Sequence, residues 1–305
     1  MYDRGDEGID NPSGNPTLTE VMAARASRRG VLVGGLTAAV AVALAGSWRP
    51  AAAAEKAADE KESLLGFAPV PVGEADAVRV PEGYRVQVLA PWGTPLDGSG
   101  GFSPAATGAE QARQVGSHHD GMHFFPIEGS STDGLLVVNH EYVEPRFLHR
   151  AYAGRAVEEE GVVIENGVRN ADEVLKELNA HGVTVVHVRR GQDGEWALVP
   201  DPRIRRITGL TPARFSGPAR GAAKLRTKYS PDGTRVRGTL NNCAHGPTPW
   251  NTYLAAEENW ALYFRNGDVA GEKPNLPRAH ARYGVRTDRS RYAWELAQGG
   301  GDEYV

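Results

Sequence analysis

From residue 67 onward, short apolar runs alternate with Gly- and Pro-containing turns, a pattern typical of β-strands. Residues 84–90 (YRVQVLA) alternate apolar and polar side chains after a Pro-Glu-Gly turn, which predicts a strand. The continuous apolar run at 135–139 (LLVVN) predicts a strand that is buried on both faces. A further short strand is predicted at 252–258 (TYLAAEE). This part of the chain is therefore expected to be rich in sheet.

One hairpin and one helix stand out within this pattern. Residues 183–190 (VTVVHVRR) and 195–199 (EWALV) flank a Gly-Gln-Asp-Gly loop, which predicts a β-hairpin. Residues 171–180 (ADEVLKELNA) have a helical period, with Asn170 as a suitable N-cap and Gly182 just past the end. The chain has 37 Gly and 20 Pro, so long helices are not expected. The prediction is an all-β sandwich, barrel or propeller with one short helix, and no internal repeat selects among the three.

The N-terminal segment has the features of an export signal. The paired Arg28 and Arg29 precede a mild apolar run at 30–46, and small residues follow at 51–54. This order predicts a twin-arginine signal peptide over residues 1–54, whose apolar part is helical. A transmembrane anchor is the less favoured alternative, because the run is shorter than the ~20 strongly apolar residues that a span needs.

The signal prediction sets the expected organisation and location of the protein. Residues 55–66 are predicted to be a linker, and residues 67–305 to be the folded part. The protein is expected to use the twin-arginine translocase and to reach the periplasm, the cell surface or the medium. The net charge is −4 and the charges are interspersed, so neither a nucleic-acid partner nor a stable membrane anchor is expected.

Two clusters of candidate chemistry flank the predicted strand at 135–139. Residues 117–123 (SHHDGMH) contain His119 and Asp120, which are suited either to metal binding or acid–base work, or to a polar turn around Asp-Gly. His140 and Glu141 follow the buried strand directly, where side chains on a rigid element meet an open loop. The pair lacks the H-E-x-x-H spacing, so a zincin-type site is not indicated.

The third cluster contains the only cysteine of the chain, Cys243, and the adjacent Glu257 and Glu258. Exported proteins usually pair their cysteines, so a lone cysteine is either a metal ligand or a small buried apolar residue. Neighbouring strand residues face opposite ways, so either one glutamate is the ligand and the other supports it, or a bulge aims both. Paired buried carboxylates need a cation, and Ca²⁺ takes such oxygen ligands.

Between about residue 67 and residue 263 the chain contains a series of modest motifs in a constant order. They are FAPVP at 67–71, VPEGYRVQVLAPWGTPL at 80–96, DGMHFFP at 120–126, LLVVNHEY at 135–142, HGVTVVHVRR at 181–190, RRITGLTPARFSGPARG at 205–221 and LNNCAHGPTPWNTYLAAEEN at 240–259. Through these motifs the chain resembles the PhoX family of calcium- and iron-dependent bacterial alkaline phosphatases.

The resemblance implies a β-propeller phosphatase whose ferric and calcium ions act on phosphate esters. It implies that Cys243 is an iron ligand and that Glu141, Glu257 and Glu258 bind the metal cluster. Family members are longer, so the chain is expected to be the N-terminal part of this fold and inactive by itself. The alternative is a noncatalytic, metal-stabilised propeller that binds a ligand or serves as a surface interaction protein.

Overall fold

The computed structural model describes residues 67–99, 101–149, 154–158, 160–267 and 276–297. The chain divides into two compact units, Met1–Arg85 and Val86–Val305, and every strand and helix given below belongs to the second unit. The predicted signal and linker at 1–66 lie outside the described residues.

Within the described residues the fold is mostly β-structure. The strands are β1 (His119–Pro126), β2 (Asp133–His140), β3 (Gly182–Arg190), β4 (Trp196–Leu198), β5 (Arg205–Ile207), β6 (Pro212–Arg214), β7 (Arg235–Arg237), β8 (Asn242–Pro247) and β9 (Tyr253–Glu257). The predicted strands at 135–139 and 252–258 are therefore confirmed as β2 and β9.

Four α-helices, all short, accompany the strands in the described part of the chain. They are α1 (Gly108–Gln111), α2 (Pro145–Leu148), α3 (Ala171–Ala180) and α4 (Arg278–Tyr283). Helix α3 has the predicted bounds, and the side chain of Asn170 accepts hydrogen bonds from the N–H groups of Asp172 and Glu173, as an N-cap does. Short 3-10 helices lie at Ala223–Leu225, Trp260–Tyr263 and Trp294–Leu296.

The largest sheet is an antiparallel meander in the order β1-β2-β3-β4, with β5 also paired to β3. The predicted hairpin is confirmed, because Val188 pairs with Leu198 and Arg190 with Trp196 across β3 and β4. Strands β6 and β7 form a separate ribbon, and β8 and β9 form another. The described strands thus make three separate sheets, and the expected propeller ring stays a prediction.

The predicted strand at 84–90 is wrong, because these residues form no strand. The side-chain amide of Gln87 occupies the place of a neighbouring strand beside β4. Its Nε2 donates to the carbonyl of Trp196 at 2.5 Å, and its Oε1 accepts from the N–H of Trp196 at 2.8 Å. One amide side chain satisfies both backbone groups, so alternation alone did not decide the structure here.

Two apolar clusters hold this unit together. The larger one packs α3, through Val174 and Leu178, against Tyr263, Tyr292 and Trp294. The smaller one covers one face of the large sheet, with Val137, Val183 and Val185 at its centre and Tyr253 of β9 packed against them. This second cluster fixes the β8–β9 ribbon over β1 and β2. Among the described residues, no helix is long and apolar enough to span a bilayer.

Candidate metal centre

The first part of the site is a β-bulge in β1 that contains Asp120. Strands β1 and β2 pair His119 with His140 and then Met122 with Val138, so Asp120 and Gly121 together oppose one residue, Asn139. A bulge of this kind bends its strand and redirects a side chain. Glu141 follows the last residue of β2, and its N–H donates to the carbonyl of His118 at 2.9 Å. The bulge therefore places Asp120 beside Glu141.

A second bulge aims Cys243 at the same place. Strands β8 and β9 pair Asn242 with Glu257 and then His245 with Ala255, so Cys243 and Ala244 oppose one residue of β9. Cys243 is a free thiol that is partly exposed. The alternative of a small buried apolar residue is wrong for this cysteine, because its neighbours are carboxylates.

The two bulges are held together by hydrogen bonds from Asn139 and Tyr253 and by the close backbone approach at Gly121. The amide of Asn139 donates to the carbonyl of Cys243 at 2.9 Å. The hydroxyl oxygen of Tyr253 lies 3.0 Å from the carbonyl oxygen of Gly121 and 3.0 Å from Oδ1 of Asn139, and its one proton is shared between these two acceptors. A Cβ on Gly121 would lie 2.6 Å from the carbonyl oxygen of Cys243. Only glycine allows this approach of the two backbones.

The result is a compact group of three potential ligands. One oxygen of Asp120, one oxygen of Glu141 and Sγ of Cys243 all lie within 4.8 Å of one another, and all three residues are half-buried. Asp120 and Cys243 are 123 positions apart in the chain. A thiolate suits a transition-metal ion, and carboxylates suit harder cations such as Ca²⁺ and Mn²⁺. The donor set therefore fits iron and calcium chemistry.

The electrostatics of the group favour a cation. A hydrogen bond with Asp120, desolvation and the charges of Asp120, Glu258 and Glu141 raise the pKa of the Cys243 thiol to about 11. Desolvation, a hydrogen bond with Asp120 and the charges of Asp120 and Glu258 raise the pKa of the Glu141 carboxyl. Negative charge is therefore concentrated here, and a bound cation relieves it by displacing protons.

Asn241 connects the segment at Glu141 to the segment at 258–259 through hydrogen bonds. It is buried and holds a positive φ of 51°, a conformation that asparagine tolerates better than most residues. Its Nδ2 donates to the backbone carbonyl of Glu141 at 3.5 Å and to Tyr263 Oη at 3.3 Å. Its Oδ1 accepts from the N–H of Asn259 at 2.5 Å, and its carbonyl accepts from the N–H of Glu258 at 3.0 Å.

The structure separates the two adjacent glutamates. Glu257 Oε1 accepts from Thr239 Oγ1 at 2.7 Å and from the N–H of Leu240 at 2.9 Å, so this carboxylate braces the turn before β8. The charge of Glu258, by contrast, contributes to the raised pKa values of both Cys243 and Glu141. The charge of Glu258 therefore acts on the group of three, whereas the Glu257 carboxylate is engaged with Thr239 and Leu240.

The two histidines at this end of the sheet lie outside the group of three. His140 is buried on the opposite face of β2, where its Nε2 is 2.6 Å from Thr184 Oγ1 and accepts from the N–H of Gly116 at 3.3 Å. His119 is exposed, with its ring centroid 4.9 Å from that of His140. Burial lowers the pKa of the His140 imidazole well below its ordinary value.

Sequence reasoning named the candidate metal ligands but missed the residues that hold them in position. Asn139, Tyr253 and Asn241 are ordinary polar or aromatic residues of strands and turns, and their roles depend on contacts more than 100 positions away or on a buried turn. The Asp-Gly pair at 120–121 indicated an irregular backbone at this position, and the structure shows that the irregularity is a bulge and not a turn.

Comparisons with known proteins identify the family of the chain. The model of the family described as alkaline phosphatase PhoX matches residues 65–301. The chain belongs to the PhoX family. No curated protein sequence matches it.

A solved structure is similar as well: Pseudomonas fluorescens PhoX in complex with vanadate, a transition-state analogue. The identity is 34% and the TM-score is 0.66, over 76% of this chain. The chain spans 38% of the length of that PhoX protein. Both proteins share a mostly β fold with few helices.

Proposed function

We propose that the protein to which this chain belongs hydrolyses phosphate monoesters at the centre formed by Asp120, Glu141 and Cys243. The observation that carries the proposal is the convergence of these three ligand atoms within 4.8 Å, from strands far apart in sequence. Membership of the PhoX family and the similarity to a PhoX protein that binds a transition-state analogue support it.

The chain's own residues have distinct roles in this proposal. Cys243 would hold iron through its thiolate, and Asp120 and Glu141 would supply carboxylate oxygens to the metal ions, calcium among them. Glu258 would add negative charge at the edge of the site, while Glu257, Asn139 and Asn241 would hold the backbone in place. When bound, such ions neutralise charge on the phosphoryl oxygens and activate an oxygen nucleophile.

We also propose the propeller architecture and export for the whole protein. Consecutive antiparallel strands such as β1-β2-β3-β4 resemble one propeller blade, which supports the former. The paired Arg28 and Arg29 ahead of an apolar run support the latter. Replacing both arginines with lysine should retain the protein in the cytoplasm. Unchanged export would count against the twin-arginine route.

The function is tested by metal content and phosphate release in the full-length protein. Asp120→Asn, Glu141→Gln and Cys243→Ser should each lower bound metal and slow hydrolysis of p-nitrophenyl phosphate by at least about 100-fold. Glu257→Gln is the matched control: the amide oxygen of Gln can still accept from Thr239 and Leu240, so the backbone stays in place and metal content should be near that of the wild type.

The outcomes separate the proposal from its alternatives. Metal content and activity that survive in Cys243→Ser would show that the cysteine is not a ligand. A larger metal loss in Glu257→Gln than in Glu258→Gln would reverse the assignment of the two glutamates. Bound metal without phosphate release in the wild type would favour the noncatalytic ligand-binding alternative.

A further inference from the structure

A second concave site lies away from the carboxylate–thiol group. It is a cavity of about 330 Å³ between the β6–β7 ribbon, the Ala223–Leu225 turn and the large apolar core. Its floor is apolar, with Leu178, Phe264 and Trp294 among the lining residues. None of the four carboxyl and thiol residues Asp120, Glu141, Cys243 and Glu258 lines it.

The rim of this cavity is cationic. Lys224, Lys228, Arg235 and Arg237 all line it, and its lining contains no acidic residue. These side chains belong to the segment 203–237, which carries ten Lys and Arg residues and a single acid, Asp232. The description of the charges as interspersed therefore fails for this segment, although the net charge of the chain is −4.

Tyr229 organises two of these cations. The guanidinium carbon of Arg237 is 4.2 Å from the centroid of the Tyr229 ring, and that of Arg235 is 5.4 Å away. Arg235 also donates to the carbonyl of Tyr229 at 3.1 Å. Stacking on an aromatic face orients a guanidinium and keeps its positive charge at the rim of the cavity.

We propose that this cavity binds a small soluble organic anion whose apolar body is a ring or a short alkyl chain. A volume of about 330 Å³ is at the small end of ligand sites. The apolar floor would take the body of the ligand, and the rim of Lys and Arg would take its sulfonate, phosphate or carboxylate group. The proposal goes beyond the phosphatase function and does not depend on it.

The test is a calorimetric titration of the full chain with naphthalene-2-sulfonate. This probe has a ring and an anionic group but no ester bond to hydrolyse. It should bind at least about tenfold more tightly than 2-naphthol, which lacks the charge, or inorganic sulfate, which lacks the ring. Binding should weaken as salt is added, because the rim charges are screened.

Matched variants locate the binding. The double variant Lys224→Gln/Arg235→Gln should bind the probe roughly five- to tenfold more weakly. Arg220→Gln/Arg226→Gln removes the same charge from the same segment outside the cavity lining and should bind as the wild type does. Both pairs include exposed side chains, and circular dichroism checks that each variant folds.

Three results would overturn the proposal. One is the absence of measurable probe binding in the folded wild type. Another is equal weakening in the two double variants, or a loss in Glu141→Gln instead, which would place the probe elsewhere. The third is binding to phosphatidylglycerol vesicles without binding of the soluble probe, which would assign the basic rim to a lipid surface.

Discussion

At the scale of single residues, the metal centre depends on backbone approach as much as on ligand chemistry. Gly121 contributes no side chain, yet it decides whether Asp120 and Cys243 can face one another. A methyl group at this position would meet the carbonyl oxygen of Cys243 and the ring of His245, both at 2.6 Å. The exposed His245 ring could turn away, but the carbonyl belongs to the paired backbone of β8 and cannot move without disturbing the bulge.

We therefore expect Gly121→Ala to separate the two bulges and to lower iron affinity by at least about tenfold, with a loss of stability of about 1–3 kcal/mol. Iron titration and urea unfolding of the purified protein measure both. Gly246→Ala is the control, because this glycine is also in β8 and a Cβ there meets no atom within 4 Å. Similar iron affinity in the two variants would contradict this account of Gly121.

His181 gives a second prediction at this scale. It is buried, its Nδ1–H donates to the carbonyl of Glu177 at 2.7 Å, and its Nε2 accepts from Tyr263 Oη at 3.0 Å. Desolvation lowers the pKa of His181 to about 4. The neutral imidazole thus belongs to the chain of hydrogen bonds that continues through Tyr263 to Asn241 and the metal centre.

The sign of the pH effect follows from where protons bind. Between about pH 6.5 and pH 4 the unfolded chain protonates His181 and the folded chain does not, so acid favours unfolding in this window. Above pH 6.5 both states are neutral and the effect vanishes. We expect His181→Gln to flatten the fall in unfolding free energy between pH 7 and pH 4 by about 2–3 kcal/mol. Parallel pH curves for wild type and variant would exclude this role.

At the scale of elements, a buried carboxylate joins α3 to the segment that ends the described chain. Glu177 is fully buried and accepts hydrogen bonds from Arg169 Nη2 at 2.5 Å, from His149 Nε2 at 2.8 Å and from Trp294 Nε1 at 2.6 Å. Desolvation opposes its ionisation, but Arg169 and His149 prevail and hold the pKa of Glu177 below its ordinary value.

Removing this charge should be costly, because Arg169 would stay buried without its counter-ion. We expect Glu177→Gln to lower the free energy of unfolding by about 3–5 kcal/mol in urea denaturation. The exposed Glu128→Gln is the control and should change it by less than about 0.5 kcal/mol. A loss below about 1 kcal/mol in Glu177→Gln would mean that the network of hydrogen bonds, and not the ion pair, fixes α3.

At the scale of the whole molecule, the candidate metal centre combines residues from parts of the chain that are far apart in sequence. Asp120 and Glu141 belong to the large sheet, and Cys243 belongs to the separate β8–β9 ribbon. A ligand that binds only the folded state stabilises it in proportion to the logarithm of its concentration over Kd. Bound metal should therefore hold the ribbon on the sheet.

We expect removal of metal by a chelator to lower the Tm of the wild-type protein by about 5–10 °C. The same treatment should change the Tm of Cys243→Ser by much less, because that variant has already lost a ligand. Glu257→Gln should retain the wild-type response. Calorimetric scans with and without chelator make the comparison, and an unchanged wild-type Tm would show that metal does not join the two sheets.

Much of the fold could be read from local patterns. The bounds of α3, the strands β2 and β9, and the β3–β4 hairpin follow from apolar periodicity, an N-cap and a Gly-containing loop, all of which act over a few residues. The order of motifs also identified the family, and it named Cys243 and Glu141 as candidate ligands, which the structure places close together. These features depend on residue type and short spacing, which a sequence states directly.

What the tertiary structure decided is the set of contacts between distant segments. Residues 84–90 form no strand, and their contact with β4 is made by the side chain of Gln87, which bonds to the backbone of Trp196. The tertiary structure engaged Glu257 with Thr239 and Leu240, and it placed Asp120 beside Glu141 and Cys243 through a bulge at Gly121. The sequence alone determined which residues could bind metal. The tertiary structure decided which of them meet, because packing and hydrogen bonds such as that from Asn139 to Cys243, across more than 100 positions, hold β8 against β1 and β2.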